Sequence, residues 1–223
     1  MRMSRIYLFD KERTGRLPFS MGNSLEPKIL WSVDLPQYPI SGPESTAVLD
    51  NNGNLYFGCH NGCIYSLTNN GDIRWQFVTK GKVYSSPLFY NERLYFCCNG
   101  FDVICLSLTG KLIWSFRALE VLKGLPKWKK VINHFLSYLV YDYHSKSIKL
   151  DKVTAWCSPN VIEGKAILVN LYGVGVIALD PITGQLIWQR SLGIPWNHLA
   201  GVAIFCEGDR DRGASPAQWR CLA

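Results

Sequence analysis

The sequence predicts an all-β fold assembled from repeated four-stranded sheets. Three observations carry that expectation: an ungapped internal repeat, a glycine-to-tryptophan spacing that recurs three times, and short apolar runs broken by Asn/Gly/Asp turns. "LYFGCHNGCIYSLTNNGDIRWQF", Leu55 to Phe77, aligns with "LYFCCNGFDVICLSLTGKLIWSF", Leu94 to Phe116, at an offset of 39 residues. Four strand-like runs in a period of about 40 residues are the pattern of a β-propeller blade. About four such units are recognisable, which predicts an incomplete propeller interrupted by one helical insertion.

Taken in chain order, residues 1–30 form an N-terminal arm and lead-in with six Lys/Arg against three acids. The arm lacks the apolar stretch of a secretory signal, and no run in the chain reaches the roughly 18–20 apolar residues of a membrane span. A cytoplasmic location is therefore expected. Residues 31–116 hold the first blades. "EPKILWSVDL" is a degenerate copy of the repeat around Trp31, with Pro27 in place of the glycine. Each full unit opens on a leading run: "ESTAVLD" at Glu44, "SSPLFY" at Ser85 and "CSPNVI" at Cys157. Turns such as "DNNGN", "HNG" and "TNNGD" then separate the strands.

The spacing Gly-x-[Ile/Leu]-x-Trp occurs at Gly71–Trp75, Gly110–Trp114 and Gly184–Trp188. The glycine suits a tight turn with positive φ. The tryptophan on the following outermost strand offers a flat surface for the neighbouring blade. Trp75, Trp114 and Trp188 are accordingly expected in equivalent, largely buried positions. A β-sandwich with accidental tryptophan spacing is the alternative architecture.

Residues 117–153 break the pattern as a basic insertion. Trp128, Val131, Ile132, Phe135, Leu136, Leu139, Val140 and Tyr143 follow helical spacing, which predicts one apolar stripe on a helix over 128–143. Lys127, Lys129 and Lys130 sit at its N-terminal end, the unfavourable side of the helix dipole. Three roles suit this helix: a lid on the blades, a docking element for another protein through Lys127, Trp128, Lys129, Lys130, Phe135 and Leu139, or peripheral membrane contact through 127–143. Blade pattern resumes at 154–205. The irregular tail 206–223 abandons it, which reads as a truncated or frame-shifted product, with completion of the ring by another chain as the alternative.

The formal net charge of +7 does not make the body a nucleic-acid platform. Residues 117–152 carry eight Lys/Arg against three acids, and outside that stretch and the arm the remainder holds ten against eleven. The basic face that nucleic acid needs is not there, and no nucleic-acid partner is expected.

"ALDPITGQLIWQR" matches, through Ala178, Asp180, Thr183, Gly184 and Trp188, the tryptophan-docking motif of the pyrroloquinoline-quinone-like (PQQ-like) β-propeller repeat family, which the chain resembles over about 10–116 and 154–205. The opening "DKERTGRLPFS…PKILWSVDL" also looks like the lead-in of such repeat proteins. The resemblance implies blades of four antiparallel strands, seven or eight in typical relatives. It implies either a quinone-dependent dehydrogenase or a cofactor-free scaffold such as the lipoprotein of the outer-membrane β-barrel assembly machinery.

Candidate chemistry is thin. Vicinal Cys97–Cys98 resembles the vicinal disulfide that lies against the quinone in quinoprotein alcohol dehydrogenases, but no acidic calcium ligands or catalytic aspartate accompany it. Cys59-His60-x-x-Cys63 has soft ligands for zinc, yet a closed site needs four and no second cluster supplies them. The eight cysteines are expected as reduced, structural thiols. No catalytic or metal-ligating set is assigned. The sequence therefore predicts a non-catalytic scaffold that binds another protein, with no cofactor. A relative of an oxidoreductase using pyrroloquinoline quinone and calcium, and a small-ligand sensory domain, are the alternatives.

Overall fold

A computed structural model describes residues 29–35, 43, 45–98, 102–117, 157–162, 164–171 and 175–190. Among these residues twelve strands form three four-stranded antiparallel sheets. The first blade contains β1 (Val48–Leu49), β2 (Leu55–Gly58), β3 (Cys63–Leu67) and β4 (Ile73–Val78). The second contains β5 (Leu88–Tyr90), β6 (Arg93–Cys98), β7 (Asp102–Ser107) and β8 (Leu112–Arg117). The third contains β9 (Asn160–Ile162), β10 (Ala166–Leu171), β11 (Gly175–Leu179) and β12 (Leu186–Arg190). Within each blade the strands pair in sequence order, as an up-and-down meander.

The described residues thus hold three blades rather than about four. Of the copy around Trp31, the described residues show the tryptophan in the repeat position, over Gly71. No helix occurs among the described residues. The helix expected at 128–143, its flanking lysines and the tail 206–223 lie outside them.

The cores lie between blades, and strand periodicity explains how. Successive side chains of a strand point to opposite faces. In the second blade Tyr95, Cys97, Val103 and Cys105 pack against Ile167, Val169, Ile177 and Leu179 of the third. The alternate set, Leu94, Phe96, Cys98, Ile104 and Leu106, packs against Val48, Tyr56 and Ile64 of the first. Both middle strands are consequently apolar on both faces and read as nearly unbroken hydrophobic runs. The outer strands alternate instead, with burial in β4 restricted to every second residue.

One irregularity recurs in every blade. The ladder slips between Ser66 and Leu67, between Cys105 and Leu106, and between Ala178 and Leu179. Trp75 pairs with Ser66 while Ile73 pairs with Leu67, which leaves Arg74 as the extra residue. A β-bulge of this kind re-aims the side chains on either side of it. Strict alternation would place Ile73 and Trp75 on one face. The bulge sends Trp75 toward the second blade and leaves Ile73 on the opposite side, 47% exposed. Leu112 with Trp114 and Leu186 with Trp188 are divided in the same way.

Candidate functional site

The repeated feature of the molecule is a blade-to-blade dock, built from the turn before each outer strand. Gly71, Gly110 and Gly184 have φ of 92°, 79° and 73°, a conformation that glycine adopts without strain. Each also lies under an indole from the preceding unit. A Cβ added at Gly71 would come within 2.8 Å of Trp31, one at Gly110 within 2.7 Å of Trp75, and one at Gly184 within 2.5 Å of Trp114. The indole N–H completes the contact. Trp31 Nε1 donates to the Asn69 carbonyl at 2.9 Å, Trp75 Nε1 to Leu108 at 2.9 Å and Trp114 Nε1 to Pro181 at 3.2 Å. The glycine and tryptophan of one Gly-x-[Ile/Leu]-x-Trp motif therefore serve two different junctions.

The three tryptophans are not equally buried. Trp114 is 9% exposed, whereas Trp75 and Trp188 are half-buried. Trp114 owes its burial to the longer turn of the third blade. The Pro181 carbonyl there accepts from Trp114, from the Tyr95 hydroxyl at 3.1 Å and from Arg93 Nη1 at 3.1 Å, which closes the turn over the indole. Trp188 packs with Ala166, Leu168, Val176 and Ala178 on the far face of the third blade.

The Asp180 turn shows why its residue types recur together. Asp180 Oδ1 accepts from the backbone N–H of Ile182 and Thr183 at 2.8 and 2.7 Å and from Thr183 Oγ1 at 3.0 Å. The Gly184 N–H donates to the Asp180 carbonyl at 2.9 Å. An Asx turn of this form fixes the loop ahead of its glycine. The Thr183 backbone N–H is the largest influence on the Asp180 carboxyl and, with Ile182, the Thr183 hydroxyl and Arg93, holds it below its ordinary value against the opposing effect of desolvation. Ala178 lies directly across from Trp188, where its short side chain leaves room for the indole.

Two further sets escaped the sequence reading. In the first, Ser85 Oγ donates to the Cys97 carbonyl and accepts from the Cys97 N–H, both at 2.9 Å, just ahead of the start of β5. Ser45 does the same for Gly58 at 2.9 and 2.8 Å. The next hydroxyl bridges blades: the Thr46 N–H donates to Ser86 Oγ and the Ser86 N–H to Ser158 Oγ, each at 2.9 Å. The repeated "ST", "SS" and "CS" before each leading strand was the available signal. Nothing in one strand's pattern says that its hydroxyls extend a ladder.

In the second, buried Asp50 accepts from the backbone N–H of Asn52 and Asn54, from Asn54 Nδ2 and from the Tyr56 hydroxyl, all at 2.8–2.9 Å. Arg74 Nη1 reaches the Tyr56 hydroxyl at 3.0 Å. Burial pushes the Asp50 carboxyl up, but the bonds from Asn54, Tyr56 and Asn52 outweigh it and hold the group below its ordinary value. Tyr56 is itself pushed up to about 12, chiefly by burial.

Cys97 and Cys98 do not fit the part of a vicinal disulfide against a quinone. Both belong to the β6–β7 ladder, opposite Val103 and Asp102. Their side chains enter different inter-blade cores, Cys97 toward the third blade and Cys98 toward the first. Neither is joined in a disulfide, and the same holds for Cys59, Cys63, Cys105 and Cys157. Among the described residues no three His, Cys, Asp or Glu side chains gather as a metal set, and no helix is long and apolar enough to cross a membrane. Lys127, Trp128, Lys129, Lys130, Phe135 and Leu139 lie outside the described residues.

Repeated four-stranded blades, stacked face to face through an indole on a turn glycine, define a β-propeller of the PQQ-like type. The sequence matches the family model for outer membrane protein assembly factor BamB over residues 23–198, and the chain belongs to that family of PQQ-like repeats. No curated protein matches it. Among solved structures it is similar to BamB from Moraxella catarrhalis, with 14% identity and a TM-score of 0.46, over 66% of this chain and 36% of that one. It is also similar to quinohemoprotein alcohol dehydrogenase from Comamonas testosteroni, with 16% identity and a TM-score of 0.48, over 67% and 21%. The computationally designed Ika4 protein aligns with a TM-score of 0.50 and 12% identity over 82% of this chain and 89% of the design. At these identities the likeness is one of fold, and the chain spans about a third of BamB and a fifth of the dehydrogenase.

Proposed function

We propose that the chain is a protein-interaction scaffold, a PQQ-like propeller module whose blades present a surface rather than enclose a reaction. The supporting observation is the outer rim. Ile73, Leu112 and Leu186 hold equivalent positions on β4, β8 and β12 and are 47%, 51% and 40% exposed. Ile113 and Ile187, the extra residues of two bulges, add 41% and 51%. A single exposed apolar residue is ordinary, but the same exposure at matching places in three blades makes a repeated pattern of contact sites. Among the described residues β4, β8 and β12 pair on one side only, so backbone donors and acceptors accompany the apolar side chains. That combination suits an extended segment of another protein, added along a sheet edge. The basic helix expected at 128–143 is a second contact element in this proposal.

Chemical cross-linking of the purified chain in its source extract tests the reading. Wild type should capture a defined partner, and Leu112→Glu with Leu186→Glu should lose it while keeping the β circular-dichroism spectrum. Deleting residues 118–152 separates the two elements: capture that survives assigns binding to the rim, and capture that disappears assigns it to the insertion. Binding of pyrroloquinoline quinone with calcium, accompanied by dye-linked oxidation of an alcohol or sugar, would overturn the scaffold reading in favour of an oxidoreductase.

A further inference from the structure

Cys59 and Cys63 close the β2–β3 hairpin. The pairing Leu55↔Leu67, Phe57↔Tyr65, Gly58↔Ile64 places them opposite one another at the next position. The Cys59 N–H donates to the Cys63 carbonyl at 2.9 Å, while the Cys63 N–H is taken by Asn61 Oδ1 at 3.0 Å. Both side chains follow the face of Phe57, Tyr65 and Leu67 and join the same apolar cluster, with Trp31 and Leu35 beside them. Directly opposed residues of this kind have Cα atoms about 5.5 Å apart, inside the range that a disulfide spans.

Cys97, Cys98 and Cys105 do not oppose one another in this way. Cys97 and Cys98 point to opposite faces, and Cys105 stands across from Tyr95, one diagonal step from Cys97. A diagonal pair is about 7–8 Å apart, too far for a disulfide. Exposure also divides the pair usefully: Cys63 is half-buried and Cys59 is 3% exposed. One thiol is reachable from solvent, and the other waits behind it.

We infer that Cys59 and Cys63 form a reversible dithiol–disulfide site that reacts with small-molecule disulfides such as oxidised glutathione. The Cys63 thiolate attacks the small disulfide, forming a mixed disulfide and releasing one thiol molecule. Cys59, as its thiolate, then attacks the Cys63 sulfur and expels the second. Two protein thiols become one disulfide, the small disulfide is reduced to two thiols, and the two protein protons end on the released thiols. The Tyr65 hydroxyl lies over the same site. Burial first, with smaller contributions from Cys63 and Cys59, pushes its pKa up against the lowering effect of the bond that Asn61 Nδ2 donates at 2.7 Å, so it stays a neutral phenol beside the sulfurs. Oxidation would lock the hairpin tip. The Cys59 carbonyl there accepts from the N–H of Gly62 and of Val83, which ties the tip to the chain entering the second blade.

The experiment incubates the full-length folded chain with excess oxidised glutathione, blocks the remaining thiols and maps peptides by mass spectrometry. The expected product is a peptide carrying Cys59 and Cys63 that is lighter by two hydrogens, takes up no blocking agent and regains both thiols under dithiothreitol. Cys59→Ser should instead hold glutathione on Cys63, and Cys63→Ser should leave Cys59 reduced over the same time. Stable glutathione on Cys63 of the wild-type chain would overturn the inference. So would full alkylation of both residues after oxidation, because the thiols would then not be in reach of each other.

Discussion

Replacing Trp114 with alanine perturbs the best-buried of the docks. An indole buries about 150–250 Å², which at about 25 cal/mol per Å² amounts to about 4–6 kcal/mol. That is an upper bound, because the unfolded chain already hides part of the same surface. The hydrogen bond adds little: the Pro181 carbonyl keeps Tyr95 and Arg93 as donors after the indole is gone, so no buried acceptor is left bare. Large-to-small changes of this class cost about 3–5 kcal/mol, and Trp114→Ala should fall there. Gly184→Ala approaches the same contact from the other side. Its added Cβ meets the indole at 2.5 Å at a φ of 73°, so it carries both a clash and about 1–2 kcal/mol of left-handed strain. The clash vanishes when the indole is absent. Gly184→Ala should therefore cost less in a Trp114→Ala background than in wild type, and urea titration of the four proteins by far-UV circular dichroism measures the difference. Strict additivity, or a loss below about 1 kcal/mol for Trp114→Ala, would refute the dock as the junction between the second and third blades.

Trp75→Ala should destabilise less than Trp114→Ala in the same titration, since its indole is half-buried. Ser85→Ala removes both partners that its hydroxyl gives Cys97 in a fully buried setting and should cost about 1–3 kcal/mol, while Ser45→Ala, at a less buried position, should cost less. Cys157 occupies the place of Ser85 in the third blade, so Cys157→Ser should change stability by less than about 1 kcal/mol. Asp50 predicts a pH dependence: its carboxyl lies lower in the folded chain than the ordinary 3.8, so its stabilisation is fully present above that value and is lost as pH falls through the folded value. Acid titration of stability should show this loss in wild type and a flatter profile in Asp50→Asn.

Much of the architecture was legible because a blade is a local object. Its four strands follow one another in sequence and pair with their neighbours, so the repeat of Leu55–Phe77 in Leu94–Phe116 fixed strand, turn and order together. Positive φ at Gly71, Gly110 and Gly184 was readable for the same reason, as was the turn built on Asp180 and Thr183. Contacts between blades join residues far apart in sequence, and only the tertiary structure decided those. It placed Trp31, Trp75 and Trp114 over the glycine of the following unit. Through a bulge that no two-residue period reveals, it put Ile73 and Trp75 on opposite faces. It also separated Cys97 from Cys98, adjacent in sequence, because neighbouring strand residues face different cores. Cys59 and Cys63, four positions apart, were brought together because a hairpin returns the chain upon itself.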